Sequence, residues 1–219
     1  DPGIALFAGL NVVPKRSYLA AYSSRIDRRG TERLMATWFD AVHGAGLGRG
    51  TSIDLDFHTV PANAQVEPLE KHYVSSRSRS QKGILVFLAR DATERVLCYS
   101  QAGIPKAQQP DEILRFVAFW KRHTGHPPEE VVFDSQLTTY ANLHHLNTQG
   151  IRFMTLRRRS KKMLGEIWSR PASAWQRITL RSLTRTFRTP KVLDERVHLK
   201  GYQGPLRQVT VIDLGHEDP

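Results

Sequence analysis

Hydrophobic residues recur along this chain at two spacings, and the switch between them marks out the elements. From Thr31, which is placed to cap a helix, Leu34, Trp38, Phe39 and Val42 return every three to four positions. Gly44, Gly46, Gly48 and Gly50 then close the helix, and the spacing assigns Trp38 to the core. Between Thr51 and Val60 the period drops to two. Ile53, Leu55 and Phe57 alternate with Asp54, Asp56 and His58, so a half-buried strand carries two acids and a histidine on one face. The polar run from Val74 to Lys82 reads as a flexible loop. The apolar stretches Gly83 to Arg90 and Glu94 to Ala102, split by Asp91-Ala92-Thr93, read as a hairpin.

Helical spacing returns after Pro110 and Asp111, with Ile113, Leu114, Phe116, Val117 and Trp120 as the apolar stripe and Gly125 and Pro127-Pro128 as the stop. Val131-Val132-Phe133 is a short buried strand running straight into Asp134. Thr138 or Thr139 caps a helix through Leu146, Gly150 ends it, and Ile151 to Leu156 is another strand. A short helix is expected over Lys162 to Ser169. Beyond it, Gln176 to Thr184, Val192 to Lys200 and Leu206 to Leu214 have strand-like density, with Gly201 and Gly204-Pro205 as turns. The order is α/β, followed by a β-rich stretch towards the C-terminus.

Composition sharpens this picture. The chain has 219 residues and a formal net charge of +11, which favours polyanionic partners, nucleic acid first. Its longest apolar run, Ile84 to Ala89, is far below the roughly 18 residues that a membrane span needs, so the expectation is a cytoplasmic protein with no membrane partner. Cys98 is the single cysteine, which excludes an intrachain disulfide framework and a thiolate zinc site. His123 and His126, and the adjacent His144 and His145, lack the remaining ligands of a zinc constellation and read as structural. No Gly-x-Ser-x-Gly elbow or Walker-type loop is present.

Acids at strand ends are the candidate chemistry. If the strands bearing Asp56 and Asp134 are neighbours, the two carboxylates meet. Paired carboxylates are the hard oxygen ligands that Mg²⁺ or Mn²⁺ takes, and such ions serve phosphodiester cleavage. Acids in these positions also serve as turn formers and caps. Asp54, on the same face as Asp56, competes for the first position, and His58 either touches the phosphodiester or decorates a polar face. The runs Arg157, Arg158, Arg159, Lys161 and Lys162, and Arg77, Arg79 and Lys82, bracket the acids and read as a phosphate track or as solvated faces. Arg181, Arg185 and Arg188 around Phe187 are a further, weaker DNA-contact candidate.

The stretch Ile53-Asp54-Leu55-Asp56-Phe57-His58-Thr59-Val60-Pro61 resembles the first-aspartate strand of DDE-type insertion-sequence transposases. Val131-Val132-Phe133-Asp134-Ser135, followed by Tyr140-Ala141-Asn142-Leu143, Leu146 and Gly150-Ile151-Arg152-Phe153, resembles their second-aspartate region. The resemblance runs from about Thr31 to the C-terminus. It implies a ribonuclease-H-like mixed sheet flanked by helices, with a β-strand insertion before the last catalytic helix. Residues 1–30 would be a lead-in segment, 31–170 the catalytic core and 171–219 the insertion. It further implies Asp56 and Asp134 as ligands of the divalent ions, DNA ends and target DNA as substrates, and work as a homo-oligomer. The family's third acid, a Glu in a Tyr-x-x-Arg-x-x-x-Glu-like helix after the insertion, has no counterpart here. Glu166 precedes the insertion, and Glu195 and Glu217 lie in or just after strand-like segments. We therefore expect the chain to be a segment that stops before that helix. A DNA-binding remnant without catalysis and a ribonuclease-H-like nuclease are the competing expectations.

Overall fold

A computed structural model describes residues 9, 15–18, 26–62, 69–74, 78–134, 138–180 and 187–213. Most of the lead-in segment, together with Arg77, Ser135, Arg181, Arg185 and Glu217, lies outside the described residues. Helix α1 (Arg28–Gly44) begins three residues before the expected cap. Asp27 is the cap, its carboxylate accepting from the Gly30 N–H at 2.7 Å, while the Thr31 hydroxyl donates to the Asp27 carbonyl. An ionised cap also complements the positive end of the helix dipole, an advantage that a threonine lacks.

Strand β1 (Ser52–Pro61) is followed by β2 (Lys71–Val74), β3 (Arg79–Asp91) and β4 (Leu97–Ala102). A 3₁₀ turn (Lys106–Asp111) leads into α2 (Glu112–Thr124), then β5 (Glu130–Phe133), α3 (Tyr140–Thr148) and β6 (Arg152–Thr155). These strands form one mixed sheet, ordered β2-β3-β1-β5-β6, with β4 on a further stretch of β3. β1 runs antiparallel to β3 and parallel to β5, and β5 runs parallel to β6. This is an α/β architecture of a mixed sheet flanked by helices, compatible with a ribonuclease-H-like fold.

Alternation along the strands decides where the core sits. Ile53 and Leu55, Leu85, Phe87 and Ala89, and Val131 and Phe133 share one sheet face. They pack with Phe39 of α1, Ile113, Phe116 and Trp120 of α2, and Leu143 and Leu146 of α3. The opposite face carries Asp54, Asp56, His58, Val132 and Met154, the last 64% exposed.

Two expectations fail here for physical reasons. Trp38 is 49% exposed rather than buried: its indole N–H donates to the Leu97 carbonyl at 2.9 Å, and the neighbouring Phe39 fills the core instead. The stretch expected as a loop over 74–82 contains the end of β2 and the start of β3, where Lys71 to Val74 pair with Lys82 to Arg79. Arg79 and Lys82 are therefore strand residues.

Helix α4 (Lys161–Trp168), capped by the Ser160 hydroxyl, leads to a separate three-stranded antiparallel sheet: β7 (Gln176–Arg177), β8 (Lys191–Val197) and β9 (Leu206–Ile212). β7 is much shorter than the strand expected from Gln176 to Thr184, and residues 181–186 are not described. The small sheet is tied to what precedes it by Arg170 to Glu195 at 2.6 Å, by Arg157 to Gln208, and by Tyr202, whose ring meets those of His144 and Phe153. Among the described residues no helix is long and apolar enough to cross a membrane.

Candidate active site

The parallel pairing of β1 with β5 builds the site. Ser52 to Leu55 are in register with Glu130 to Phe133, so the next residues, Asp56 and Asp134, stand side by side where the paired stretch ends. Both are exposed, and both line one cavity of about 710 Å³. The strand order that brings two distant acids together is thus the one anticipated from their sequence context.

His58, a candidate from the β1 pattern, is on the cavity wall, whereas the wall beyond β1 had no motif to announce it. His58 and Thr59 extend along β1, and Lys71, His72 and Tyr73 of β2 and Lys106 and Gln109 of the 3₁₀ turn are also in the lining. Glu70 ties these last two elements together: its carboxylate accepts from the Lys106 N–H at 2.7 Å and lies 3.8 Å from His72 Nε2, and its carbonyl accepts from the Gly83 N–H. A side chain at Gly83 would place its Cβ 2.7 Å from the Val60 carbonyl oxygen, so glycine is needed where β3 passes β1 beside the cavity. The readable signal for β2 was the alternation of Lys71, His72, Tyr73 and Val74, with His72 and Val74 buried.

His72 is only 7% exposed. Burial, reinforced by the nearby Lys106 ammonium and opposed by Glu70, pushes its pKa below the ordinary histidine value. The unfolded chain therefore holds more protons on this residue between the two pKa values, and folding stability falls as the pH drops below about 6.5. Thermal melting of His72→Gln between pH 7.5 and 5 is expected to show a shallower acid loss than the wild type. Identical acid slopes would remove His72 as the cause.

Asp54 sits two residues back on the same strand face, bonded to Arg90 at 2.8 Å, and is absent from the cavity wall. Of the basic run, Arg157 is half-buried and bonded to Gln208, Lys162 lies 3.9 Å from Glu166 on the same helix, and Arg159 and Lys161 are exposed. Arg158 lines a second cavity of about 480 Å³ adjoining the first, with Gln109 common to both. Glu166 is on α4, and Glu195 is held by Arg170 and Gln208, so neither belongs to the cavity that holds Asp56 and Asp134. His123 is bonded to Asp40 at 2.7 Å and packs on Phe39 and Phe119.

Among the described residues no group of three or more His, Cys, Asp and Glu side chains is arranged to hold a metal ion. Two adjacent, exposed carboxylates in a roomy polar cavity nevertheless fit Mg²⁺ or Mn²⁺, since Mg²⁺ keeps several waters and is commonly held by one or two carboxylates together with substrate phosphates.

No protein-family model matches the chain, and no curated protein matches it in sequence. Among solved structures, the chain is similar to the piggyBac transposase in a synaptic complex with hairpin DNA, at a TM-score of 0.39 and 10% identity. The match covers 74% of this chain and 33% of that one, so the chain spans about a third of the piggyBac chain's length. A likeness this slight carries no argument about chemistry.

Proposed function

We propose that this chain is the catalytic-core segment of a DDE-type DNA transposase, cutting and joining DNA strands with the help of divalent ions. The reading rests on one observation, the side-by-side placement of Asp56 and Asp134 at the end of a parallel strand pair, on the wall of one cavity. Asp56 and Asp134 would hold Mg²⁺ or Mn²⁺, which when bound activates water or a 3′-hydroxyl and stabilises the leaving oxygen. Lys71 and Lys106, exposed on the same cavity wall and in no ion pair among the described residues, would hold the phosphate being attacked. Arg158, Arg159, Lys161 and Lys162 would carry the flanking backbone, while Arg157 serves mainly to fasten the small sheet through Gln208. In this reading residues 31–170 are the core, 171–219 a β-strand insertion, and the working form a homo-oligomer on paired DNA ends.

The test is a labelled-DNA cleavage assay with the protein in Mg²⁺, in Mn²⁺ and in EDTA. Strand cleavage that needs the metal is the expected result. DNA binding without cleavage in either metal would overturn it in favour of a second reading, a module that only holds DNA. That alternative draws on a specific observation: no third carboxylate completes the pair among the described residues.

A further inference from the structure

Helix α1 carries two apolar faces, and only one of them meets the core. Phe39, 2% exposed, and Met35 pack inward. On the outer side Leu34 is 63% exposed and Trp38 49%, four positions apart and so neighbours on the helix surface. Trp38 reaches Leu97, itself exposed, through the bond to its carbonyl. Ile26, also exposed, extends the stripe over Gly30, where a Cβ would lie 3.0 Å from the Ile26 Cγ2. Thr31, Thr37 and Ala41, all exposed, occupy the remaining positions of this face without adding a charge. Single exposed apolar side chains are ordinary, whereas a contiguous group rimmed by polar residues marks a docking surface. The helix is firmly seated. It lies along the edge of β4 that β3 does not pair, where the Trp38 indole serves the Leu97 carbonyl and the Ser100 N–H donates to Met35 Sδ at 3.2 Å.

The charges beside the stripe say what fits it. Two copies of a chain at +11 repel each other, so self-association needs a contact that is locally balanced. Arg33 and Asp40 stand seven residues apart, about two helical turns, and therefore share one flank of the stripe with opposite signs. In an antiparallel pair of α1 helices, with the two-fold axis between Ala36 and Thr37, each Arg33 faces the other copy's Asp40. Leu34 of each copy then nests beside Trp38 and Ala41 of the other. Arg33 has no ion pair among the described residues, and Asp40, 61% exposed, uses only Oδ1 for His123. A parallel pair would leave both charges unmatched. We propose that a second copy of this chain docks on the outer face of α1, helix against helix and antiparallel, with Leu34 and Trp38 at the centre and Arg33 paired with Asp40 at the rim. This gives an interface to the homo-oligomer of the reading above, and it involves neither DNA nor metal.

The test is sedimentation velocity of the full chain, without DNA or metal, over a concentration series reaching roughly 100 μM. A contact through one helix face falls at the small end of specific interfaces, below about 1,200 Å², so a dimer that dissociates in roughly the micromolar range is expected. Leu34→Glu should raise the dissociation constant at least about 10-fold, at a position too exposed for the change to unfold the chain. Arg33→Asp should raise it about 5- to 10-fold, because two-fold symmetry counts the reversed pair twice. Adding Asp40→Arg to that variant should restore it to within about threefold of wild type. Because Asp40 also holds His123, a second measurement checks the geometry on its own. Thr37→Cys, beside the axis, should cross-link two chains under oxidation, whereas the wild type, with Cys98 only 2% exposed, should not. A chain that stays monomeric throughout, leaving this face to another segment or partner, would overturn the proposal. So would a dimer indifferent to both Leu34→Glu and Arg33→Asp, or one in which Thr37→Cys fails to cross-link. Metal-dependent cleavage by a strictly monomeric chain would remove the interface and keep the catalytic reading; the predicted dimer without cleavage would do the reverse.

Discussion

Replacing either Asp56 or Asp134 with alanine is expected to reduce metal-dependent strand cleavage by at least about 10³-fold, because each would remove half of the protein's hold on ions worth several kcal/mol to the transition state. DNA affinity should stay within about threefold of wild type, with the same dependence on salt, since neither carboxylate neutralises a phosphate. Both side chains are exposed, so stability should change by no more than about 1 kcal/mol, and a urea melt of each variant separates lost activity from unfolding. Asp54→Ala is the internal control. It removes an exposed ion pair with Arg90, of the kind worth about 0–1 kcal/mol, and should leave cleavage near wild type. Single-turnover cleavage of the three variants decides the matter. Full activity in both Asp56→Ala and Asp134→Ala would end the assignment, and loss in Asp54→Ala alone would move the first ligand back two residues.

The second large effect is on folding. Asp91 is 0% exposed, and no cation is bonded to it among the described residues. Its carboxylate instead accepts three backbone N–H groups: Gly50 on one oxygen, and Thr93 and Glu94, each at 2.8 Å, on the other. Asp91 thereby ties the hairpin turn to the segment that feeds β1, and the Ala92 N–H adds a bond to the Ser52 carbonyl. Alanine at this position leaves three donors without their acceptor, at an expected cost of about 3–5 kcal/mol. Urea denaturation should show the midpoint falling with the slope unchanged. A loss below about 1 kcal/mol would mean that water replaces the carboxylate. Gly50 belongs to the same device, because a Cβ there would lie 2.3 Å from an Asp91 oxygen.

These two aspartates also show what could and could not be read from the chain. Asp56 stood out because Ile53, Leu55 and Phe57 alternate around it, and a period of two needs no knowledge of neighbours. Asp134 stood out because a strand of three apolar residues ends in it. Asp91 looked like an ordinary turn residue, since its three N–H partners are supplied by two loops that only the tertiary fold brings together. β2 was overlooked for a related reason: its alternation lasts only four residues, and its partner residues Arg79 to Lys82 are polar, so the pairing shows only in the fold. Trp38 was misplaced because helical spacing reports a face and not which of two adjacent aromatics fills the core. The cavity wall of Lys71, His72 and Lys106 comes from three-dimensional closure, with Glu70 as the link, and no spacing rule spans it.

The parallel seam between β1 and β5 also sets when Asp56 and Asp134 can come together. Its partners are distant along the chain; Ser52, for instance, bonds to Glu130 across 78 positions. Local helices and the β3–β4 hairpin can form early, whereas a parallel pairing must wait for a long loop to close, and high contact order slows that step. The two aspartates would then be among the last features to acquire their native spacing during refolding. On the transposase reading proposed above, a full-length but partly folded chain would already carry its positive charge and hold DNA while being unable to cut it.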